Sequence, residues 1–232
     1  MASNIVSGLA GIKKYKEEQD AKREAAARPK AEWFTWPKGV TTCTGRFLQE
    51  LDVDATNYKE DRGIGVMAVE HQAPGPDGFK RRGLCTRESE GACFACDRHA
   101  ADYKEGWRQR TNFYINFLVD FGDGNKKVVV LSRNFNASFT QALIEEAIDE
   151  GSITDSNFKI TKTGQDTTTT WIPKRLKGEP YSDEGVEIFD LRETALRSIE
   201  NDKQPEYYGA VYQSPNAAPV AAQAAASDGD TW

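Results

Sequence analysis

The residues best equipped for chemistry are His71, Cys85, Cys93 and Cys96. The cysteines follow the histidine at intervals of fourteen, eight and three positions, so three of the four cysteines in the chain fall within twelve residues. Thiolates and imidazole are the ligands of a tetrahedral, borderline-soft ion such as zinc, and a Cys-x-x-Cys pair lets one tight turn place two sulfurs on it. The spacing predicts one structural zinc of three cysteines and one histidine. Four protein ligands leave no open position for a catalytic water, so the expected role is a clip that holds a fold together. His99, three residues after Cys96, competes with His71 for the fourth place, and Cys43 is a more distant candidate.

Two rival chemistries fit less well. A disulfide with a spare thiol requires an oxidising compartment, whereas residues 1–11 lack the charged start and continuous apolar core of a secretion signal. A redox Cys-x-x-Cys wants a strand before it and a helix after it. Here the Gly/Glu/Ser-rich stretch from Arg87 to Ala92 precedes it.

The elements that must position the four ligands are mostly short strands. Val40 to Leu51 is rich in β-branched residues, with Gly45 suggesting a bulge or sharp bend. Gly65 to His71 reads as a short buried strand that delivers the histidine, and a Pro/Gly-rich loop from Gln72 to Gly83 carries Phe79, Lys80, Arg81 and Arg82 at its tip. After a short link from Asp97 to Trp107, Phe113, Ile115, Phe117 and Val119 alternate with Asn112, Tyr114 and Asn116. A Gly-Asp-Gly-Asn turn then leads into Lys126 to Ser132 as the partner strand. An Asn-capped helix is expected over Asn134 to Glu150, with Gly151 as its stop. A last hairpin joins Phe158 to Thr163 with Thr167 to Ile172, and a second amphipathic helix is expected over Glu187 to Asn201.

Outside this β region, residues 1–31 form a basic helical arm with only Leu9, Ile12 and Tyr15 as an apolar stripe, suited to touching a neighbouring subunit. Residues 32–212 form the core, with the metal segment at about 71–99, and the Ala/Pro-rich residues 213–232 are expected to be a disordered tail. No apolar run approaches the roughly 18 residues of a membrane span, so a soluble protein is expected. The fold class predicted is mainly β: a Greek-key barrel of the oligonucleotide-binding (OB) type with a zinc-binding insertion, a few helices and flexible termini.

The net charge of −6 argues at first against a nucleic-acid ligand. Its distribution does not. Residues 1–31 carry seven Lys/Arg against four Asp/Glu and residues 71–133 eleven against eight, while residues 134–232 carry eight against seventeen. Basic and aromatic residues interleave around the metal segment, a texture suited to single strands, where cations track phosphates and rings stack bases. The expected contacts are Phe79, Lys80, Arg81, Arg82, Trp107, Arg108, Arg110, Tyr114, Lys126, Lys127, Trp171, Lys174 and Arg175. Phe113 and Phe117 are assigned to the core instead.

The run from His71 through Gly78–Cys85 to Gly91–Cys96 resembles the zinc subdomain of the T-even-type phage single-stranded DNA-binding (helix-destabilising) proteins, in ligand order and near-identical spacing. The similarity extends over residues 45–175 and includes Arg110 to Val119, Thr140 to Ile144 and Asn157 to Thr163. The resemblance implies an OB fold, a structural zinc, and non-enzymatic, cooperative coating of single strands in replication, recombination and repair, in the cytoplasm of an infected host cell. It also implies self-association through the N-terminal arm and recruitment of replication proteins through an acidic C-terminal region. The tail departs from the family pattern, holding only Asp228 and Asp230 as acids, so the acidic 179–206 region is the substitute. Two other classes stand beside this one. A zinc hydrolase or nuclease lacks paired carboxylates or an open metal site, whereas a zinc-ribbon-like adaptor would bind a replication or transcription partner without DNA affinity.

Overall fold

The computed structural model describes residues 8–27, 30–74, 80–164 and 168–209. Phe79, the tip of the last hairpin at 165–167 and the tail at 213–232 lie outside them. The chain divides into two units, one of residues 1–70 with 110–198 and one of residues 71–109 with 199–232. Among the described residues no helix is long and apolar enough to cross a membrane.

The protein is mainly β. Its strands are β1 (Thr42–Phe47), β2 (Val66–Pro74), β3 (Lys80–Leu84), β4 (Gln109–Asp120), β5 (Lys126–Asn134), β6 (Asn157–Thr163) and β7 (Thr170–Arg175), in the order β3-β2-β4-β1-β6-β7 with β5 paired to β4. β1 pairs antiparallel with β4 and β6, β4 with β5, and β6 with β7. The α-helical segments among the described residues are α1 (Gly8–Ala27), α2 (Arg87–Glu90), α3 (Phe94–Ala101), α4 (Ser138–Glu150), α5 (Leu191–Thr194) and α6 (Gln204–Tyr208).

In the first unit the alternation of β4 is realised, with an addition. Phe113, Ile115, Phe117 and Val119 join Phe47, Leu131, Phe139, Leu143, Phe158 and Ile160 in one core. The opposite side of β4 is covered too: Tyr114, Asn116 and Leu118 are buried. Asn116 exchanges hydrogen bonds of 2.9 and 3.0 Å with the carbonyl and N–H of Phe189. This contact explains why Glu187 to Asn201 is not the expected helix. Arg62 donates to the carbonyls of Val186 and Asp183, at 2.6 and 3.0 Å. With that backbone committed to tertiary partners, only the single turn α5 forms, capped by Asp190.

Two further expectations are corrected. Asn134 belongs to β5 rather than capping a helix; α4 starts at Ser138, after Ala137, with no side-chain cap. Gly45 marks a close approach instead of a bulge. A Cβ there would lie 2.4 Å from both the Leu118 carbonyl oxygen and the Phe117 ring, so the aromatic ring occupies the place of a side chain.

The outer strands β5 and β7 meet through their side chains. The Arg133 guanidinium lies over the Trp171 ring, 4.2 Å from its centroid. Phe34 and Trp36, from the stretch hydrogen-bonded to Val130 of β5, pack on the same indole at 5.1 and 5.6 Å. A buried carboxylate fixes the far side of the core: Glu50 accepts from the hydroxyls of Ser152 and Thr154 and from the N–H groups of Ile153 and Thr154. Four donors offset the cost of burying that charge.

Replacing Gly45 with Ala should destabilise the first unit by about 1–3 kcal/mol, because backbone and a fully buried ring would both have to move. A lowered denaturation midpoint in urea, with fluorescence as the probe, is the expected reading; an unchanged midpoint would contradict the close approach.

Candidate metal centre

Strand β2 ends by carrying His71 into the second unit, and β3 places Cys85 directly after its last residue. Cys93 occupies the N-cap position of α3 in extended conformation, and Cys96 sits in the first turn of that helix. The Cys-x-x-Cys spacing thus puts both sulfurs at a helix N-terminus, where the local field favours thiolate.

The four ligand atoms lie within 4.8 Å of one another, so these residues could hold a metal ion. Cys85 Sγ is 3.6 Å from Cys96 Sγ, which is 3.4 Å from His71 Nε2. A tetrahedron built on metal–sulfur bonds of about 2.3 Å has edges near 3.8 Å, so little movement separates this arrangement from a coordination shell. The imidazole is already oriented. Its Nδ1–H donates to the Trp107 carbonyl oxygen at 2.6 Å, which fixes the tautomer and leaves the Nε2 lone pair to the cluster.

Burial, together with the neighbouring Cys85 and Cys93 sulfurs, pushes Cys96 up to about 12. Burial also opposes ionisation of Cys93, but hydrogen bonds involving Cys96 and Thr86 outweigh it and hold this thiol below its ordinary value. Cys93 therefore ionises more readily than Cys96, and a positive ion among the sulfurs would favour further ionisation. Burial likewise lowers His71, favouring the neutral imidazole that a metal needs.

A supporting layer surrounds the sulfurs, and neither residue type nor spacing points to it. Gln109 Nε2 donates to Cys85 Sγ at 3.0 Å and Cys96 Sγ at 3.3 Å. Gln204, on α6, is buried; its Oε1 lies 3.5 Å from Cys93 Sγ and accepts from Ala95 N–H, while its Nε2 donates to Thr86 Oγ1 at 3.0 Å. Trp107 contributes through its backbone carbonyl, which side-chain chemistry does not reveal.

The two other ligand candidates are set aside. Cys43 is buried in the core of the first unit, where desolvation raises it to about 12. His99 is outside the cluster, on α3 with its Nδ1 buried and without a hydrogen-bond partner.

The expected nucleic-acid contacts divide sharply. Lys80, Arg82 and Arg108 are exposed in the second unit, and Arg110, Lys126, Lys127 and Lys174 in the first. Lys126 stacks on Tyr181 and Lys127 pairs with Glu32. On β6 and β7, Lys159 and Lys174 are cross-strand neighbours. Arg81 instead donates to the Tyr207 carbonyl. Three aromatics expected to stack on bases are corrected to core residues. Tyr114 is fully buried with its hydroxyl on Glu70. Trp107, at 3% exposure, packs against Phe94 and Tyr208, and Trp171 is enclosed by Phe34, Trp36 and Phe139. Arg175 is also withdrawn: Glu146, Asp155, Ser156 and the Ser152 carbonyl take up its guanidinium.

The chain matches no family model, no curated protein and no solved structure.

Cys93→Ser should abolish stoichiometric metal and loosen residues 71–109, while amide-exchange protection persists in β1, β4 and β6. Full metal content in that variant would remove Cys93 from the ligand set. Acid should have a related effect. Because His71 is lowered in the folded chain, its contribution is complete above its unfolded value of about 6.5 and is lost as pH falls below it. Protons also compete for the thiolates, so metal release followed with a colorimetric chelator should rise as pH drops below about 6.

Proposed function

We propose that the protein binds single-stranded DNA without reading its sequence, with one zinc ion as a non-catalytic clip. The single observation that carries this reading is the convergence of His71, Cys85, Cys93 and Cys96, because their order is also the most specific part of the resemblance to the T-even-type phage helix-destabilising proteins. Three thiolates and one imidazole in tetrahedral spacing suit zinc better than harder divalent ions, which prefer oxygen. The curled antiparallel sheet, with β5 and β7 meeting at Arg133 and Trp171, supports an OB-type barrel.

Within the first unit, the exposed cations Arg110, Lys126, Lys127 and Lys174 supply phosphate-tracking contacts. A ligand held mainly through phosphates is bound more weakly as salt rises. On this reading the chain coats single strands during phage replication, recombination and repair in the host cytoplasm. The helix α1, with Leu9, Ile12 and Tyr15 exposed, contacts the next molecule on the strand. The acidic 179–206 region would recruit replication proteins.

A second reading, the protein-binding adaptor, is favoured by one observation. The first unit carries an open apolar groove of about 640 Å³, lined by Leu51, Met67, Phe113, Phe135, Ile144 and Ile148, with Met67 58% and Ile148 75% exposed. Apolar grooves of this kind serve protein partners.

Fluorescence anisotropy of a labelled oligo-dT, titrated at low and high salt beside an elemental zinc assay, separates the two. Salt-sensitive binding with one zinc per chain is expected, and duplex of equal length should bind more weakly. Equal affinity for duplex would overturn the single-strand reading, and zinc without oligonucleotide affinity would favour the adaptor.

A further inference from the structure

Six arginines among the described residues are partly buried: Arg46, Arg62, Arg81, Arg98, Arg133 and Arg175. Five have acceptors. Arg46 donates to the carbonyls of Thr154 and Tyr181, Arg62 to those of Val186 and Asp183, and Arg81 to that of Tyr207. Arg98 pairs with Glu105, and Arg175 with Glu146 and Asp155. Arg133 differs. No described residue accepts from it, and its Nε is buried without a partner.

Among the described residues, the groups recorded beside Arg133 are aromatic rings and further N–H donors. On β5 it lies opposite Phe113, and period two sets it on the side of Val129 and Leu131, facing the core. Its guanidinium rests on the Trp171 ring, and Trp36 meets that indole edge-on. Both indole N–H groups, Trp36 Nε1 and Trp171 Nε1, are buried and unpartnered as well. Among the described residues, three buried N–H groups without hydrogen-bond partners therefore lie at this junction, and the guanidinium has the Trp171 ring face as its partner. Desolvation makes this arrangement costly, since buried cations are normally paired, and it lowers the Arg133 pKa with no carboxylate to offset it. An anionic ligand at the exposed part of the half-buried guanidinium would offset this charge.

We propose that Arg133, with Trp36 and Trp171, forms a phosphate anchor at the junction of β5 and β7, taking one backbone phosphate of single-stranded DNA. This site rests on the single-strand reading above and adds to it a residue that composition and spacing did not single out. An arginine stacked on an indole presents its planar N–H edge to a phosphate while the ring holds the plane fixed. The chemistry is that of a phosphate group, which a free phosphate ion also offers, so the test must separate the two sources.

The experiment uses the full-length, zinc-loaded chain and compares wild type, Arg133→Gln and Arg133→Lys. Affinity for a labelled oligo-dT is measured across a salt series, and thermal midpoints are recorded beside it. Arg133→Gln should weaken binding roughly tenfold and reduce the slope of log affinity against log salt by about 0.7, the share of one single-strand phosphate. Arg133→Lys, which keeps the charge, should keep the slope. The thermal midpoint of Arg133→Gln should be equal to or above wild type, because an unpaired buried cation has been removed.

Wild-type affinity and slope in Arg133→Gln would overturn the anchor while leaving the single-strand reading in place. A lowered midpoint or failure to fold would make Arg133 a packing residue and overturn it too. Absence of oligo-dT binding by wild type would defeat the reading and the anchor together. Inorganic phosphate, added to wild type at ionic strength matched with chloride, should not displace the oligonucleotide beyond the chloride control. Displacement that Arg133→Gln abolishes would assign the site to free phosphate instead of a strand.

Discussion

The hydrogen bond from His71 Nδ1–H to the Trp107 carbonyl is the constraint on which the second unit depends. That unit buries few side chains: Ala73, Cys93, Ala95, Trp107 and Tyr208 form its core, with Cys85, Phe94, Cys96 and Tyr207 partly enclosed. So small an apolar core does not offset the entropy of ordering loops and short helices. Ligand bonds to a metal ion would supply the difference, and they can form only if imidazole and thiolates converge. The Trp107 carbonyl sets the imidazole, Gln109 holds two sulfurs, and Gln204 ties Cys93 to Thr86 and to α6. Much of the polar chemistry of the unit therefore serves one point.

The first unit rests on different physics. Its core is large and aromatic, with Phe47 packed at an angle against Phe117 and edge-on against Phe158, and it carries its buried carboxylates in compensated form. Glu50 has four donors, Glu70 accepts from Asn112 and Tyr114, and Arg175 has two carboxylates. Against that background Arg133 is the departure. Its guanidinium has an indole face in place of a carboxylate.

β2 links the two regimes covalently. Glu70 is fixed by Tyr114 in the first unit, and its neighbour His71 is fixed by Trp107 in the second. Two successive residues of one strand thus belong to separate hydrogen-bond networks, one built for packing and one for ligation.

The sequence by itself determined the three cysteines of the cluster, the short-strand texture and both late hairpins, because ligand chemistry and period-two alternation are local properties. It also placed Phe113 and Phe117 in the core correctly. Only the tertiary structure decided between His71 and His99, since a helix start and a distant carbonyl choose the imidazole that reaches the sulfurs. It alone buried Tyr114, Trp107 and Trp171: alternation says which residues share a face, not whether something covers the other face. Glu187 to Asn201 has a helical pattern, yet Arg62 and Asn116, more than seventy positions away, claim the backbone leading into it. The same reason separates Arg175 from Arg133. Both are arginines near the ends of strands, and only the fold brings Glu146 and Asp155 to one and leaves the other with Trp171.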